Sequence, residues 1–371
     1  MKDIVLIGGG HAHLFVLEAF ARRPLADVHL TLVAKEAMAP YSGMLPGRVS
    51  GQYPIDSGEI DLARLAKGAG ARFIHAPATG IDRANRTIQL AGHDPIGYSL
   101  LSLDVGIVPD VSNIPGAEDH GLIVKPISVF RSKWEALLDG AREGKLRHLV
   151  VVGGGPAGFE LAHALRRRFR ECGAIGDIAI ALVAGRRFLA GLPEHGRKLA
   201  RRSLAEADIT LYDKLRATRI EPDEVILEGR QAIPADAVLV TTGAKAPQFL
   251  GASGLSVDER GFMRVHPTLQ AENDDRIFGG GDCVALIGQE RPKAGVFAVR
   301  EGPVLADNLR LAALGGVLRR YDAQREYLML LALWNGEAIG ARNGLAVRSS
   351  YAFRLKDRID RRFVDRFAAI G

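Results

Sequence analysis

Two short glycine-rich segments carry the residues best suited to chemistry. The first, Gly8-Gly9-Gly10-His11-Ala12-His13, directly follows the apolar run Ile4-Val5-Leu6-Ile7. The second, Gly153-Gly154-Gly155-Pro156-Ala157-Gly158, directly follows Leu149-Val150-Val151-Val152. A glycine turn between a strand and a helix lets the backbone approach a pyrophosphate, which then meets free N–H groups and the positive end of the helix dipole. Both segments therefore predict dinucleotide binding, with a glycine turn that binds nothing as the alternative.

The two segments differ in how completely they match the G-x-G-x-x-G pattern. The second is complete through Gly158, and the small residue Ala162 follows where a helix must pack closely on a sheet. The first has His13 in the place of the third glycine. We expect His13 to orient the helix or line the ligand site rather than act as a base.

The end of the strand after each turn indicates how the adenosine ribose is bound. An acidic side chain normally takes the ribose hydroxyls there. The first unit has Ala34-Lys35-Glu36, so either Glu36 or Lys35 is expected to fill this role. The second has Ala184-Gly185-Arg186-Arg187 and no acid. Arginines suit the 2′-phosphate of NADPH, but ordinary surface arginines would look the same, so NADH and NADPH both stay open.

Three further apolar runs end in glycine. They are Leu103-Asp104-Val105-Gly106, Val240-Thr241-Thr242-Gly243 and Phe278-Gly279-Gly280-Gly281-Asp282. Asp282 is either a helix cap or a carboxylate that accepts hydrogen bonds from polyol hydroxyls. Because it follows two dinucleotide turns, we favour the polyol.

The elements between these motifs alternate as expected for an α/β protein. We predict a helix over 61–68, a strand over 72–76, a hairpin that turns near 83–86 and a helix over roughly 128–143. A proline-rich connection with Pro109, Pro115 and Pro126 precedes the last of these.

Composition narrows the class of protein. The 371 residues are 47% hydrophobic and include 43 glycines, which suits an α/β protein with many tight turns. No apolar run reaches the length of a membrane span, and the first strand begins too close to Met1 for a signal peptide. Cys172 and Cys283 lie far apart without a CxxC motif, so we expect a reducing, cytoplasmic location, no metal site and no redox-active disulfide.

The net charge of +6 is concentrated in local clusters of arginine and lysine. Because almost no aromatic residues are interleaved with these clusters, we do not expect nucleic-acid binding. Anionic cofactors or a phospholipid surface are better candidates, and a solvated basic face is the alternative.

The ordered set of motifs resembles flavoproteins with tandem FAD and NAD(P)H domains, the pyridine nucleotide-disulfide oxidoreductases. The segment Pro292-Lys293-Ala294-Gly295-Val296 resembles the flavin-facing helix start of sulfide:quinone oxidoreductases and type II NADH dehydrogenases. Gly10-His11-Ala12-His13 together with Pro40-Tyr41-Ser42-Gly43 is most similar to the NADH dehydrogenase-like module also found fused to selenide, water dikinase. No cysteine pair follows the first helix, unlike in the disulfide reductases.

The resemblance implies tandem Rossmann-like domains, with the FAD domain split by the inserted NAD(P)H domain. The expected ranges are 1–115 and 246–318 for FAD, 116–245 for NAD(P)H, and 319–371 for a small C-terminal α+β segment. The residues implied for FAD are Gly8, Gly10, His11, Ala12, Lys35, Glu36, Tyr41, Ser42, Gly43, Ala78, Gly106, Gly281, Asp282, Ala294, Gly295 and Val296. Those implied for NADH or NADPH are Gly153, Gly155, Pro156, Ala157, Gly158, Arg186 and Gly243.

Two residues are expected at the reaction itself. Glu160 would lie near the nicotinamide carboxamide and orient it, because hydride transfer needs little acid–base chemistry. Lys293 would stabilise negative charge on reduced flavin, or else it is an exposed residue at a helix start.

The C-terminal tail predicts an amphipathic helix. Leu355, Ile359, Phe363, Phe367 and Ile370 recur at helical spacing, with arginines and lysine opposite them. Such a helix lies on an anionic membrane surface or docks on protein, either the body of the chain or a homodimer interface.

These features lead to three hypotheses. The first is an FAD-dependent NAD(P)H oxidoreductase that reduces a quinone-like small molecule. The second is a flavoenzyme that acts on a sulfur or selenium species. The third, of another class, is a binding protein that responds to FAD and NAD(P)H without turnover.

Overall fold

A computed structural model describes residues 1–124 and 127–370; Pro126, predicted in the proline-rich connection, lies outside them. The strands up to residue 103 are β1 (Lys2–Ile7), β2 (Val28–Ala34), β3 (Met38–Pro40), β4 (Glu59–Asp61), β5 (Arg72–His75), β6 (Ala78–Asp82), β7 (Thr87–Leu90), β8 (His93–Gly97) and β9 (Leu100–Leu103). The helices of this part are α1 (His11–Arg22), α2 (Leu45–Val49) and α3 (Leu62–Gly68).

The middle of the chain adds ten strands and five helices among the described residues. The strands are β10 (Val108–Pro109), β11 (Gly121–Ile123), β12 (His148–Val152), β13 (Ala179–Gly185), β14 (Ile209–Asp213), β15 (Ala217–Ile220), β16 (Glu224–Leu227), β17 (Ala232–Pro234), β18 (Ala237–Val240) and β19 (Ala244–Lys245). The helices are α4 (Ala117–His120), α5 (Ile127–Arg142), α6 (Pro156–Glu171), α7 (Glu194–Glu206) and α8 (Phe249–Ala252).

The last part of the chain completes the fold. Its strands are β20 (Met263–Val265), β21 (Gln270–Ala271), β22 (Asp274–Gly279), β23 (Val284–Leu286), β24 (Met329–Ala332), β25 (Ala338–Arg342) and β26 (Leu345–Ser349). Its helices are α9 (Gly295–Leu314) and α10 (Ser350–Ala368), and short 3-10 helices lie at Ser42–Met44 and Gly281–Cys283.

An eight-stranded sheet carries the first glycine turn, in the order β23-β20-β21-β22-β9-β1-β2-β5. From β22 to β5 each strand is parallel to its neighbours. Residues 4–7 of β1 are fully or almost fully buried. Continuous apolar runs are typical of such strands, because both faces of a parallel sheet are covered. The strands come from two separate stretches, 2–103 and 263–286.

A second, five-stranded sheet carries the second glycine turn, in the order β11-β18-β12-β13-β14. All its strands are parallel and lie between residues 121 and 240. Two sheets with parallel inner strands, each carrying a glycine turn after one of those strands, confirm the predicted α/β class with tandem Rossmann-like units. The domain boundaries at 115, 245 and 318 stay a prediction.

The C-terminal part forms an antiparallel sheet, β24-β25-β26, with α10 packed against it. Ser349 caps α10, since its hydroxyl accepts the N–H of Ala352 at 3.1 Å. Near the other end, the guanidinium of Arg366 donates two hydrogen bonds to the buried Glu18 of α1. Both ends of α10 are therefore fixed. No helix among the described residues combines the length and apolar character needed to cross a bilayer.

The apolar stripe predicted for this tail is divided between the core and the surface. Phe363 and Phe367 pack on the core beside Phe15 of α1, but Leu355 and Ile359 are 40% and 42% exposed. The inward face of that half consists of Ala352, Lys356 and Asp360 instead, because two of these residues enter a buried polar cluster described below. Periodicity alone did not reveal that charged side chains face inward here.

Candidate active site

The first glycine turn is built around Asp104, the residue that follows β9. The N–H of Gly10 donates to the Asp104 carbonyl at 3.2 Å, and the N–H groups of Ala12 and His13 donate to its carboxylate at 2.7 and 3.2 Å. A Cβ atom on Gly8 would lie 2.2 Å from the Asp104 carbonyl oxygen, and one on Gly10 would lie 2.1 Å from its carboxylate. Glycine is therefore required at both positions.

His13 fills the space of the missing third glycine. Its ring is fully buried, with Nδ1 2.7 Å from the carbonyl of Gly8 and Nε2 2.8 Å from the hydroxyl of Ser102. Burial lowers the pKa of His13 to about 4, so the ring is neutral near pH 7. His13 positions the turn, which agrees with the expectation that it is not a base.

The turn opens into a cavity of about 480 Å³ that extends from the carboxyl end of β2 to the amino end of α9. The predicted cofactor residues in its wall are Gly8, Gly10, His11, Lys35, Glu36, Ser42, Ala78, Gly106, Asp282 and Gly295. Both candidates for the ribose contact, Lys35 and Glu36, line it, so the choice between them stays open. The cavity contains the glycine cradle and the start of α1 in one part and the start of α9 in another. This arrangement fits FAD, an elongated dinucleotide.

The other residues predicted for FAD lie just behind this wall. Ala12 is fully buried and contributes its N–H to Asp104, and the carbonyl of Gly43 accepts a hydrogen bond from Lys356 at 2.9 Å. Ala294 and Val296 flank Gly295, where α9 begins. These residues shape the cavity without lining it.

Tyr41 also lies behind the wall, in an aromatic cluster. Its ring stacks on Phe363 with centroids 4.5 Å apart, and His11 lies 5.3 Å from both rings. The Tyr41 hydroxyl donates to Asp360 at 3.2 Å. The C-terminal helix α10 thus covers this side of the cavity.

The Gly281-Asp282 segment is held by a second buried acid. The N–H of Gly281 donates to Glu301 of α9 at 2.6 Å, and Glu301 pairs with the nearly buried Arg291. A Cβ atom on Gly281, whose φ is +73°, would lie 2.3 Å from the Asp104 carboxylate. Burial raises the pKa of Glu301 to about 7, although Arg291 opposes this. Asp282 is left facing the cavity.

Lys293 does not line the FAD cavity. Its ammonium group donates to the carbonyl of Val284 at 2.5 Å and lies 3.8 Å above the ring of Phe262. Burial, followed by the nearby Arg291, lowers its pKa to about 8. This placement does not favour direct contact between Lys293 and a flavin, and leaves the neighbouring helix start as the group that faces the cavity.

The second glycine turn is tight at Gly158 and open at Gly155. A Cβ atom on Gly158 would lie 2.0 Å from the carbonyl oxygen of Gly153, and one on Gly243 would lie 2.2 Å from a neighbouring carbonyl oxygen. Gly155, Pro156 and Ala157 are exposed at the start of α6, where a second dinucleotide can reach them. Such a turn fits NADH or NADPH.

Arg186 is exposed at the end of β13, 3.5 Å from Glu228. That placement fits both a surface arginine and a contact to the 2′-phosphate of NADPH.

Glu160 belongs to a buried polar cluster that also includes Lys356, Asp360 and Tyr41. The Glu160 carboxylate accepts the N–H of Ala332 at 2.9 Å and lies 3.8 Å from the ammonium of Lys356. Lys356 pairs with Asp360 at 2.8 Å. Burial raises the pKa of Glu160 above its usual value, and Lys356 opposes the rise. The cluster connects the helix of the second turn with the aromatic wall of the FAD cavity.

The two cysteines lie 111 positions apart in the chain and differ in their surroundings. Cys283 is fully buried and its thiol contacts the carbonyls of Gly280 and Leu103 at 3.3 and 3.6 Å. Burial raises its pKa to about 12, so it is not a nucleophile near pH 7. Cys172 lies at the end of α6. Within the described part of the chain no His, Cys, Asp or Glu cluster is arranged to hold a metal ion.

Sequence reasoning missed Asp104, Lys356 and Asp360 as site residues. Asp104 stood in a strand that was interpreted only through its closing glycine, although a carboxylate at a strand end was recognised at Asp282. The sequence pattern predicts Lys356 on the basic face opposite the apolar stripe, and it makes no prediction for Asp360. An i, i+4 charge pair on the same helix was the available signal.

Comparison with known proteins identifies the family of the chain. The family model described as Pyridine nucleotide-disulphide oxidoreductase matches residues 2–302. The demethylphylloquinone reductase NdbB of Synechocystis sp. is 30% identical over 230 residues, which cover 60% of this chain and 56% of that protein. The type II NADH:quinone oxidoreductase of Haemophilus influenzae is 26% identical over 337 residues, covering 77% of this chain and 74% of that protein.

Among solved structures, the sulfide:quinone oxidoreductase of Aquifex aeolicus superimposes with a TM-score of 0.85 at 17% identity, covering 99% of this chain and 91% of that one. At this identity the likeness concerns the fold. The family match and these relatives show an oxidoreductase that uses FAD and NADH or NADPH. The chain belongs to the pyridine nucleotide-disulphide oxidoreductase family.

Proposed function

We propose that this protein oxidises NAD(P)H and reduces a quinone-like small molecule. The balanced reaction is NAD(P)H + H⁺ + quinone → NAD(P)⁺ + quinol. Bound FAD would supply the redox chemistry, since it takes a hydride from the nicotinamide and passes two electrons on. The names of the two relatives above, which act on quinones, support the acceptor class.

The observation that carries the proposal is the polar cluster that links the helix of the second glycine turn with the wall of the cavity at the first. A quinone takes up two protons with its two electrons, so the site needs groups that hold protons near the acceptor. Glu160, Lys356, Asp360 and Tyr41 form such a chain of contacts, and it ends at the aromatic wall beside the cavity. Glu160 also lies on the helix of the second turn, where it would help to orient the nicotinamide.

The test is anaerobic mixing of the purified yellow protein with NADH or NADPH, followed by addition of quinones of different tail lengths. We expect the flavin absorbance to bleach on mixing and to return when a quinone is added. The relative bleaching rates decide between NADH and NADPH. Failure of both nicotinamides to bleach the flavin would overturn the proposal.

The second candidate is a flavoenzyme that oxidises or reduces a sulfur or selenium species. The similarity in fold to a sulfide:quinone oxidoreductase favours it. Bleaching by sulfide or selenide but not by either nicotinamide would select this function. Tight nicotinamide binding without reduction of any acceptor would instead select the redox-responsive binding protein.

We further propose that the protein meets a membrane surface through an apolar patch on β26 and the start of α10. Its members are the exposed side chains of Leu345 (76%), Val347 (59%), Tyr351 (74%), Leu355 (40%) and Ile359 (42%). The patch adjoins exposed arginines of α10, which suit anionic lipid headgroups. A lipid-soluble quinone would then be reached without crossing water.

Replacing Tyr351, Leu355 and Ile359 together by serine should weaken vesicle binding. Each partly exposed apolar side chain buried in the interface contributes on the order of 1 kcal/mol, so the expected loss for the three together is about a hundredfold in affinity. Cosedimentation with vesicles of phosphatidylcholine and phosphatidylglycerol measures it. The matched control is Leu314→Ser with Val317→Ser, two exposed apolar residues of another surface. Equal binding by all three proteins would contradict the proposal.

A further inference from the structure

Asp104 stands where a dinucleotide-binding helix normally meets only its ligand. Its Oδ2 accepts the N–H groups of Ala12 and His13, which are the second and third residues of α1. An N-cap side chain normally accepts these hydrogen bonds, but the N-cap residue here, Gly10, has no side chain. Asp104, which directly follows β9, accepts them instead. A fixed carboxyl group therefore lies at the positive end of the helix that faces the FAD cavity.

The carboxyl group also lines that cavity and is almost inaccessible to water, with 2% of Asp104 exposed. Because Oδ2 carries both hydrogen bonds, Oδ1 is the oxygen available for a proton. Oδ1 lies against Gly10 and Gly281, the two glycines that shape the pyrophosphate cradle. A negative charge on Oδ1 would face the two negative charges of a bound pyrophosphate across a short distance in a site of low dielectric constant.

We propose that Asp104 is a positioning residue that keeps its proton while FAD is bound and ionises when FAD leaves. FAD retention then falls as the pH rises. The inference rests on the use of FAD by this family and is independent of the acceptor that the protein reduces.

The groups that face Asp104 agree with this. His13 of α1 and Cys283 of the 3-10 turn are buried and neutral near pH 7. Asp282 and Glu301 repel a negative charge on Asp104. The two nearby cations face other groups, since Arg291 pairs with Glu301 and Lys293 lies near Cys283. Burial is the largest effect, and together these raise the pKa of Asp104 to about 8, against the two N–H bonds.

The sign of the pH dependence follows from linkage. The dianionic pyrophosphate raises the pKa of Asp104 further, so the FAD-bound form holds more protons than the FAD-free form above about pH 8. Affinity for FAD should then fall by up to about tenfold per pH unit in that range, one proton being released with each FAD.

The test is the dissociation constant of FAD, measured by ultrafiltration of the holoprotein from about pH 7 to about pH 9.5. We expect the constant to rise with pH for the wild type and to stay nearly level for Asp104→Asn, which mimics the protonated acid. Glu301→Gln changes the neighbouring acid and should keep the slope of the wild type. The proposal is overturned if the FAD dissociation constant has the same pH slope in wild type and Asp104→Asn. It is also overturned if the slope is lost in Glu301→Gln but kept in Asp104→Asn.

A second measurement needs no variant and covers the case in which Asp104→Asn does not fold. Wild-type holoprotein is diluted at about pH 8.5 in weak buffer with an indicator dye, and the protons released with FAD are counted. Up to about 0.8 proton per FAD is expected, since an Asp104 with a pKa of about 8 is roughly three-quarters ionised at this pH once FAD has left. Release of less than about 0.2 proton per FAD would overturn the proposal.

Discussion

Gly10→Ala should yield a colourless protein that has lost its FAD. The new Cβ would lie 2.1 Å from the Asp104 carboxylate, far inside van der Waals contact, so α1 or Asp104 must move. Either movement breaks the hydrogen bonds from Ala12 and His13. A cost of about 3 kcal/mol or more corresponds to more than a hundredfold loss of FAD affinity. The ratio of visible flavin absorbance to protein absorbance after purification measures the result.

The second turn offers a matched control at the same place in its motif. A Cβ on Gly155 meets no protein atom within 4 Å, and its φ of −81° is open to alanine. Gly155→Ala should therefore fold and stay yellow, but its methyl group stands where the nicotinamide dinucleotide approaches. We expect the KM for the preferred nicotinamide to rise about tenfold, which corresponds to about 1.4 kcal/mol.

A rescue variant separates the collision from other effects of Gly10→Ala. Adding Asp104→Ala removes the carboxylate and should restore part of the flavin content. If Gly10→Ala alone stays fully yellow, or if the double variant binds less FAD than the single one, Asp104 is not the group that requires glycine here.

The sequence predicted the architecture because the fold is set by patterns that repeat along the chain. Apolar runs such as residues 4–7 and 149–152 mark the central strand of each parallel sheet, and each glycine turn marks where a helix begins. These are local signals, so no knowledge of the partner strands was needed. For the same reason ten predicted FAD residues lie in the wall of one cavity.

The rest of the site depends on contacts between distant residues. The N–H of Ala12 meets Asp104 across 92 positions of the chain, and Tyr41 meets Asp360 across 319. No spacing rule links residues so far apart. For Lys293 a local pattern misled instead. The segment around it predicted a position at the flavin, whereas its long side chain extends to the carbonyl of Val284.

The prediction that Lys356 lies on a solvated basic face of the tail failed for a related reason. A helical pattern ranks residues by polarity and assigns the polar side to water. Lys356 and Asp360 are only 13% and 7% exposed as side chains, because each finds opposite charge or a hydroxyl on another element. Buried charges in pairs cannot be told from solvated ones on sequence alone.

Lys356→Met should be the most destabilising single change in the polar cluster. It removes the only cation that the described contacts place between Glu160 and Asp360, at 3.8 and 2.8 Å. Loss of one partner from a buried ion pair typically costs 3–5 kcal/mol, so we expect the free energy of unfolding to fall by about 3 kcal/mol. Urea denaturation followed by circular dichroism measures it. Lys356→Arg, which keeps the charge, is the matched control.

The loss should depend on pH in a defined direction. Burial already raises the pKa of Glu160, and Lys356 opposes the rise, so its removal raises this pKa further. When a carboxyl group has a higher pKa in the folded state, the free energy of unfolding of the protein falls as the pH rises from the unfolded pKa to the folded pKa. The difference between Lys356→Met and wild type should therefore be larger at about pH 8 than at about pH 5.

A double variant connects this stability effect with the proposed proton path. Glu160→Gln in the Lys356→Met background removes the uncompensated charge and should recover part of the lost stability and flatten its pH dependence. It should not recover turnover, because two of the four proton-holding groups, Glu160 and Lys356, are gone. In both variants we expect flavin bleaching by NAD(P)H to stay within about threefold of wild type, while quinol formation slows by about tenfold or more. If flavin bleaching and quinol formation slow equally, the cluster acts in nicotinamide orientation alone. If the free energy of unfolding of Lys356→Met equals that of wild type, the charge of Lys356 is not needed between the two acids.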